Sequence, residues 1–486
     1  MDTIASLCDR YGVDMDHARH VAALTQQLLE AARAWLPDPD PDRLIPLGET
    51  AALLHNLGMK LDEAHHHTVG RDIVASSEIE GVDATERAML ACAVRFHRKK
   101  VDPEAEPLMQ ALTEAQRHST LLITAALRVA DGLDYHGRQD TRIVALTINP
   151  EAALLRVRGS YCHENAARAL DKAAVWNRVL PSLRIEARMD RPGTDGDMPL
   201  GEAARRIMRY LVDRRGLDAL VTRAVGPGGD TSNVSIRALR TGFRRLRTGA
   251  RVFGRYAPSS VMRGLEARLR EIGEAGGPAR ETEMMVEMLD AYLADAEPGA
   301  RAALGPMRAV WDIARREARR VYFETLRRSG AEAWLSGLSG LGLADDDGAV
   351  APAGQPRLMR HLAPAVLERY LTRVRAFDTL GRGAPIADWH RYRMAVRRLR
   401  AVADMLRDAL PAGQIKPILA RCRETQDALG ELRDAHITAQ AALQFVTGLP
   451  SPDAEGSDAG RAGLAFAAWL QEKAAALQPS RVEAWG

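Results

Sequence analysis

The feature that most constrains this chain is an internal repeat with a constant spacing of 153 residues, the difference between positions 393 and 240. The residues that recur are Arg240, Arg244, Arg245, Leu246 and Arg247, which reappear as Arg393, Arg397, Arg398, Leu399 and Arg400. The same spacing relates Gly277 to Gly430, Arg280 to Arg433 and Arg320 to Lys473. A spacing kept over about eighty residues indicates tandem copies of one structural unit. We therefore predict two copies of a helical unit, over residues 200–345 and 355–486.

In each copy the repeated arginines form one face of a predicted helix. At about 100° per residue, a set of five falls within about 80°: Arg237, Arg240, Arg244, Arg247 and Arg251. The second copy groups His390, Arg393, Arg397 and Arg400 in the same way. Apolar residues such as Phe243 and Leu399 occupy the adjacent sector, which is typical of a helix that packs on a core. Each copy is therefore expected to present a cationic ridge beside its core-facing side.

A charged ridge is more often a solvated surface balanced by acids than a binding site. Here acids are absent from both ridges except Asp404, which stands where the first copy has Arg251. Like charges at three- and four-residue spacing cost roughly a few tenths of a kcal/mol per pair. Because both copies keep this unfavourable repulsion, we infer that a bound anion offsets it. Because the whole chain has a net charge of only +3, local clustering must supply the site.

The residue types of the ridges favour phosphate as the anion. Guanidinium groups bind phosphate oxygens in pairs and stay charged at working pH. Proteins that bind single-stranded nucleic acid usually add aromatic residues for base stacking, and neither ridge carries an exposed one. A ligand made only of phosphate is therefore favoured over nucleic acid, while nucleic-acid binding through the backbone alone stays open.

The motif of the second copy resembles a known family. The segment from Trp389 to Arg400, WHRYRMAVRRLR, resembles the signature of the CHAD family, the conserved-histidine α-helical domain, and residues 429–434, LGELRD, resemble its second motif. In the first copy Arg237 stands at the histidine position, and Glu281 replaces the aspartate after the motif's arginine. The resemblance covers about residues 200–486 and implies two antiparallel four-helix bundles around a basic groove for inorganic polyphosphate, without catalysis. The expected polyphosphate-binding residues are Arg237, Arg240, Arg244, Arg247, Arg251, Arg280, Arg320, His390, Arg393, Arg397, Arg400, Arg433 and Lys473.

The amino-terminal region has a different pattern, in which histidines recur along predicted helices. The order His17, His55 and Asp131 resembles the HD phosphohydrolase superfamily, whose histidines and aspartates hold a divalent metal that activates water. The match is to the helical carboxy-terminal region of the exopolyphosphatase/guanosine pentaphosphatase family. That resemblance includes a small α+β extension over residues 143–187, with strands at Ile143–Ile148, Leu154–Val157 and Leu183–Ala187 and a helix at Ala166–Val179.

One substitution leaves the role of this region open. Asn56 stands where the superfamily has a metal-binding aspartate, and a neutral amide is a poorer ligand. One hypothesis is a metal-dependent phosphohydrolase that acts on polyphosphate or a phosphorylated nucleotide. The other is a helical scaffold that uses its histidines for hydrogen bonds or anion contacts. The magnesium or manganese site implied by the resemblance comprises His17, His55, Asn56, His65, His67, His97 and Asp131.

Taken together, these patterns predict a mainly all-α chain. We expect an HD-like domain over residues 1–190, a linker over 191–199 and a CHAD-like domain over 200–486. The four cysteines show no metal or disulfide spacing, and no apolar run is long enough for a membrane span, so a cytoplasmic protein is expected. The expected partner is inorganic polyphosphate, with localisation to polyphosphate granules; membrane and nucleic acid are not expected partners, and the oligomeric state is not predicted.

Overall fold

The computed structural model describes residues 1–36, 41–214, 216–227, 229–231, 234–257, 262–340, 357–449, 456–480 and 482–485. The chain divides into two compact units, Met1–Asp190 and Arg191–Gly486. Both are mainly helical, and one small sheet belongs to the first unit, which confirms the predicted fold class. Within the described ranges, no helix is long and apolar enough to cross a membrane.

The first unit is a group of helices around one buried helix, α7. The helices are α1 (Ile4–Arg10), α2 (Met15–Ala31), α3 (Pro41–Leu54), α4 (His66–Ser76), α5 (Ala84–Phe96), α6 (Pro107–Gln110) and α7 (Glu114–Leu133), with short 3₁₀ turns at Arg33–Trp35 and Pro103–Ala105. Thr113 and Gln116 form a capping box that starts α7, which satisfies amide groups at the helix end. Because α7 packs against α2, α3 and α5, it carries Asp131 into the middle of the unit.

The sheet forms the predicted α+β extension. Strand β1 (Arg142–Ile148) pairs antiparallel with β2 (Ala153–Arg158), which pairs parallel with β3 (Leu183–Arg188). The helix expected at Ala166–Val179 is instead two helices, α8 (Cys162–Asp171) and α9 (Trp176–Val179). The interruption has a physical reason, because the carbonyl oxygen of Lys172 accepts a hydrogen bond from the Arg128 guanidinium at 3.0 Å, outside any helix.

The second unit is helical along its described length. Its helices are α10 (Leu200–Asp213), α11 (Leu217–Val225), α12 (Ile236–Phe253), α13 (Leu265–Ala294), α14 (Pro298–Arg328), α15 (Ala331–Ser339), α16 (Met359–Arg375), α17 (Ile386–Leu406), α18 (Ala412–Thr447) and α19 (Asp458–Leu477), with a 3₁₀ turn at Gly254–Tyr256. Helices α12, α13 and α14 contact α17, α18 and α19, respectively. The two motif-bearing helices, α12 and α17, therefore lie side by side. The predicted boundary between the copies, at residues 345–355, lies outside the described residues.

The segment predicted to be a linker, 191–199, is an ordered part of the second unit. The carbonyl oxygen of Pro192 accepts a hydrogen bond from Nε of Arg206 at 3.2 Å, and the amide of Gly193 donates one to Asp408 at 2.8 Å. The side chain of Met198 is buried. The Asp, Gly and Pro content of segment 191–199 indicated only that it would not form a helix or a strand. The backbone contacts seen here do not require a helix or a strand.

Candidate functional site

The ridges of α12 and α17 face a common groove. It encloses a cavity of about 270 Å³ with α13, α14 and α18 contributing to its walls. Eight arginine side chains line this cavity: Arg240, Arg244, Arg245, Arg247, Arg251, Arg397, Arg398 and Arg400. Glu274 is the acid among the described lining residues, and its side chain is exposed. The groove is therefore a strongly cationic space.

Three cavity-lining arginines, Arg240, Arg247 and Arg397, form no ion pair or hydrogen bond with the residues that the structure describes, and neither does Arg393 on the same ridge of α17. We call these four the unpaired arginines. Burial, followed by the charges of Arg244 and Arg393, lowers the pKa of Arg397 to about 8. Burial likewise lowers the pKa of the other three. Since desolvation and like charges both disfavour these cations, the groove is an electrostatically costly arrangement that an anion would relieve.

A close backbone approach and a tyrosine complete the wall beside Arg240. At Gly276 on α13, a Cβ atom would lie 3.0 Å from Cγ of Arg240 and 3.0 Å from the ring of Tyr322, so a larger residue would displace one of them. The Tyr322 hydroxyl is buried without a hydrogen-bond partner in the described chain, and burial raises its pKa. It therefore remains a proton donor that faces a cationic site. The sequence patterns missed Tyr322, because its only signal was that of a core aromatic residue.

Several other predicted residues lie near the groove but have partners of their own. Arg433 pairs with Glu281 at 2.8 Å, and Arg280 pairs with Glu287 at 3.1 Å. Both arginines still lie close enough to Arg240 to lower its pKa. These arginines therefore add positive potential while their acids moderate it.

The two ridge positions at the start of each helix are more exposed. Arg237 and His390 occupy the first turns of α12 and α17 and have exposed side chains. Burial, followed by the charge of Arg433, lowers the pKa of His390. A neutral imidazole at this place can accept or donate a hydrogen bond without adding to the repulsion among the arginines.

The structure separates the remaining predicted positions from the groove. Arg320 is exposed and pairs with Glu317 and Glu324, both at 2.6 Å. The ammonium of Lys473 lies 5.6 Å from the ring centre of Trp469. Neither residue lines the cavity. The prediction failed for these two positions because the spacing of the repeat relates positions in the chain but does not indicate which side of a helix faces the groove.

The position of Asp404 in the repeat suggested an acid on the ridge of α17, but the structure places this side chain away from the ridge. Its carboxylate is buried, accepts a hydrogen bond from the Tyr210 hydroxyl at 2.9 Å and forms an ion pair with Arg214. All residues from 401 to 406 are buried, so the end of α17 packs on every side and no ridge continues there. The groove is therefore free of this negative charge.

The first unit holds a cluster of histidines around Asp131. Oδ1 of Asp131 lies 3.7 Å from Nε2 of His17 and 3.8 Å from Nε2 of His55, while its other oxygen accepts a hydrogen bond from the Lys172 ammonium. Nδ1 of His17 lies 2.8 Å from Asp134. Although burial opposes the charge, the two carboxylates raise the pKa of His17 to about 9. Two cations therefore already neutralise this carboxylate pair.

The other half of the cluster is uncharged and consists of imidazoles. Nδ1 atoms of His55 and His97 each contact a backbone carbonyl oxygen at 2.6 Å. A carbonyl oxygen only accepts, so these two Nδ1 atoms bear the proton and the Nε2 atoms of the same rings bear a lone pair. Nδ1 of His66 lies 2.8 Å from the Glu63 carbonyl oxygen and 3.3 Å from the Arg98 guanidinium. Nε2 of His55 is buried without a partner in the described chain, and those of His66 and His97 face each other at 3.1 Å.

Among the described residues, one group of three could hold a metal ion. His17, His55 and Asp131 place donor atoms within 4.8 Å of one another. Burial lowers the pKa of His55, so its Nε2 lone pair is available, and the carbonyl contact of its Nδ1 orients the ring as in metal sites. An ion at this place would replace the contacts of Asp131 with His17 and Lys172.

The remaining predicted metal residues lie elsewhere. His65 precedes the start of α4, is exposed and contacts Asp62. Burial, followed by the charge of Arg95, lowers the pKa of His67 to about 4. Asn56 follows His55 and is half-buried. His66, which the sequence analysis did not name, takes the place expected for its neighbours because the first turn of α4 directs it toward His97. Gly58 permits this, since a Cβ atom there would lie 2.4 Å from the His66 carbonyl oxygen.

Comparison with known proteins identifies two domains. Residues 214–443 match the family model of the CHAD domain, and residues 1–166 match that of the Ppx/GppA phosphatase, domain III. Among solved structures, the CHAD domain from the plant Ricinus communis is similar, with 17% identity, a TM-score of 0.43 and coverage of 59% of this chain and 90% of that one. PptA from Streptomyces chartreusis is similar with 19% identity, a TM-score of 0.42 and coverage of 58% and 96%. The chain therefore carries a CHAD domain, preceded by a domain of the Ppx/GppA phosphatase domain III family.

Proposed function

We propose that this protein binds inorganic polyphosphate in the groove between α12 and α17. The observation that carries the proposal is that three of the four unpaired arginines, Arg240, Arg247 and Arg397, line one cavity. A buried cation without a counter-charge is costly, whereas guanidinium–phosphate contacts are strong and can be bidentate. A linear phosphate polymer supplies negative charge along its length, as the two ridges require. The resemblance to the CHAD family implies the same ligand, and this binding would recruit the protein to polyphosphate granules.

Nucleic acid fits the groove less well. Phe243 and Tyr322 are the aromatic residues among those described as lining the cavity, and both are buried, so neither offers a face for base stacking. The cavity volume of about 270 Å³ suits a thin chain better than a duplex. Phosphate alone is the ligand that uses all the donors present.

The test is binding of long-chain polyphosphate to the wild type and to the Arg393→Ala/Arg397→Ala variant, over a range of salt concentrations. The logarithm of the affinity falls with the logarithm of the salt concentration, and each lost phosphate contact should make this slope shallower by about one. We therefore expect weaker binding and a slope lower by about two. Excess duplex DNA should not displace labelled polyphosphate from the wild type.

A matched control has the same charge change outside the groove. Arg328 and Arg461 are exposed and pair with Glu271 and Asp458. Their double replacement by alanine should leave affinity within about twofold, because screened surface charges contribute little. If both double variants bind like the wild type, with circular dichroism showing intact folds, the groove assignment is wrong.

A second candidate function rests on the histidine cluster. His17, His55 and Asp131 place two imidazoles and one carboxylate within reach of a single ion, and this donor set suits zinc or iron better than the magnesium or manganese expected from the sequence. Such an ion could activate water for hydrolysis of a phosphate ester or anhydride. The cluster would then form a phosphohydrolase site in which His17, His55 and Asp131 hold the ion.

Metal analysis of the purified protein, together with phosphate release from polyphosphate, decides this candidate. A bound metal that is lost in His55→Ala and kept in the exposed control His118→Ala would support the site. Phosphate release with the same dependence would support hydrolysis. Binding of polyphosphate without metal and without release would leave the groove as the functional site and the histidines as a scaffold.

A further inference from the structure

The groove borders a second cationic cleft. This cleft has a cavity of about 320 Å³ between α12, α16 and α17 and is lined by Thr248, Arg251, Arg369, Tyr370, Arg373 and Arg398. Three of these residues, Thr248, Arg251 and Arg398, also line the groove. The two cavities therefore share a wall, and a ligand that leaves the groove at this end meets the second cleft.

The second cleft contains no acidic lining residue in the described chain. Arg369, Arg373 and Arg398 form no ion pair with the residues that the structure describes, while Arg251 pairs with Glu266 at 2.9 Å. A surface arginine usually lies near an acid or extends into solvent. Here three of them remain together around a concave surface, which indicates a site for a second stretch of negative charge.

An aromatic ring holds two of these arginines in place. The guanidinium carbons of Arg369 and Arg373 lie 5.6 and 5.0 Å from the ring centre of Tyr370, which is buried. Cation–π contacts restrict both side chains and leave the guanidinium N–H groups free to donate outward. Residues one helical turn apart, Arg369 and Arg373, therefore present donors on the same side of α16.

Two neighbouring motif arginines on α17, Arg397 and Arg398, lie on different parts of the cationic surface. Arg397 faces the groove, whereas the next residue, Arg398, is exposed and also lines the second cleft. Its counterpart in the first copy, Arg245, lies 3.9 Å from the buried Asp404. The cationic surface therefore extends past Arg398 toward α16. Of the two equivalent motif arginines, Arg245 and Arg398, only Arg398 is among the described residues that line the second cleft.

We infer that the second cleft binds the continuation of the same polyphosphate chain, so that a chain long enough to occupy both cavities binds more tightly than a short one. The inference rests on the proposed function of the groove. Simultaneous contact with two joined sites raises the affinity without new chemistry, because the second contact is intramolecular. Phosphate oxygens of the emerging chain accept hydrogen bonds from the guanidinium groups of Arg369 and Arg373.

The test compares two probes, tripolyphosphate and long-chain linear polyphosphate, with the full-length protein. In the Arg369→Ala/Arg373→Ala variant, affinity for the long chain should fall about tenfold or more, and its salt slope should fall by about two. Affinity for tripolyphosphate, which occupies the groove alone, should stay within about twofold of the wild type. The Arg328→Ala/Arg461→Ala variant carries the same charge and should behave as the wild type with both probes.

The outcomes separate this inference from the proposed function. If the variant binds both probes like the wild type, the second cleft is not part of the site, while the groove proposal stands. If it weakens both probes equally, the arginines act only through the general potential and the inference is wrong. If the wild type binds neither probe, the groove proposal fails and the inference fails with it. Circular dichroism and the unfolding midpoint show whether each variant is folded.

Discussion

His17 and Arg397 show how single side chains reveal the state of a site. Both are cations in partly buried positions, but their surroundings shift the pKa in opposite directions. Asp131 and Asp134 overcome the effect of burial and raise the pKa of His17 to about 9, whereas burial and neighbouring arginines lower that of Arg397 to about 8. The first charge is therefore already compensated inside the protein, whereas the second is paired with no acid among the described residues.

The compensated charge of His17 predicts a pH-dependent stability for the first unit. Because its pKa is higher in the folded protein than the usual 6.5, its contribution is fully present below about pH 6.5 and is lost as the pH rises through about 9. We expect the wild type to lose about 1–3 kcal/mol of unfolding free energy over this range relative to His17→Gln. Urea unfolding at both ends of the range, with a chelator present, measures the difference.

The exposed residue His118 provides the control for that experiment. His118→Gln should follow the pH dependence of the wild type, because His118 is exposed and its removal leaves the contacts of His17 with Asp131 and Asp134 intact. Parallel pH profiles for the wild type and His17→Gln would contradict the ion pairs assigned to His17.

At this scale the sequence predicted charges better than it predicted their partners. Helical periodicity found Arg240 and Arg397 because a ridge is a local pattern that one helix determines. It could not find Tyr322 or the Lys172 ammonium, whose roles depend on contacts with other elements. It also named His65 where His66 faces the cluster, since a shift of one residue at the start of α4 changes the side on which a histidine lies.

Among the elements, one buried acid connects α17 with the end of α10. Asp404 on α17 accepts a hydrogen bond from Tyr210 on α10 and pairs with Arg214 just after that helix. Removing one member of a buried pair leaves the other uncompensated, which is the costly case. The carboxylate is therefore a structural link between the first and second copies of the repeat.

We predict that Asp404→Asn destabilises the second unit by about 2–3 kcal/mol. Asparagine keeps the shape and can still accept from the Tyr210 hydroxyl, but it removes the negative charge that pairs with the Arg214 guanidinium. Denaturant unfolding measures the change. The control is Asp458→Asn, since Asp458 is exposed and its pair with Arg461 should contribute less than about 1 kcal/mol. Equal effects of the two substitutions would contradict the assigned role of Asp404.

Element boundaries were predictable only where local chemistry sets them. The three strands lie within one residue of their predicted ends, because alternating apolar residues are a local signal. The predicted helix at Ala166–Val179 was wrong in its middle, where Arg128 binds the Lys172 carbonyl from another helix. The predicted linker likewise became an ordered segment through contacts with Arg206 and Asp408.

At the scale of the whole molecule, the two candidate sites belong to different compact units. The groove lies within Arg191–Gly486, and the histidine cluster lies within Met1–Asp190. A ligand that binds only the folded form of one unit stabilises that unit in proportion to its affinity. Each ligand should therefore stabilise the helices of a different unit.

Hydrogen exchange can measure both effects in one protein. With long-chain polyphosphate at about one hundred times its dissociation constant, the added stability is about 2.7 kcal/mol, or about a hundredfold slower exchange of the best-protected amides. We expect this slowing in α12 and α17 and none in α2 and α7. Zinc should give the opposite pattern, with slowing in α2 and α7, which carry His17 and Asp131, and none in α12 and α17. Slower exchange in the histidine-bearing helices with polyphosphate alone would mean that the first unit also binds the anion, and the groove could then not be the whole of its site.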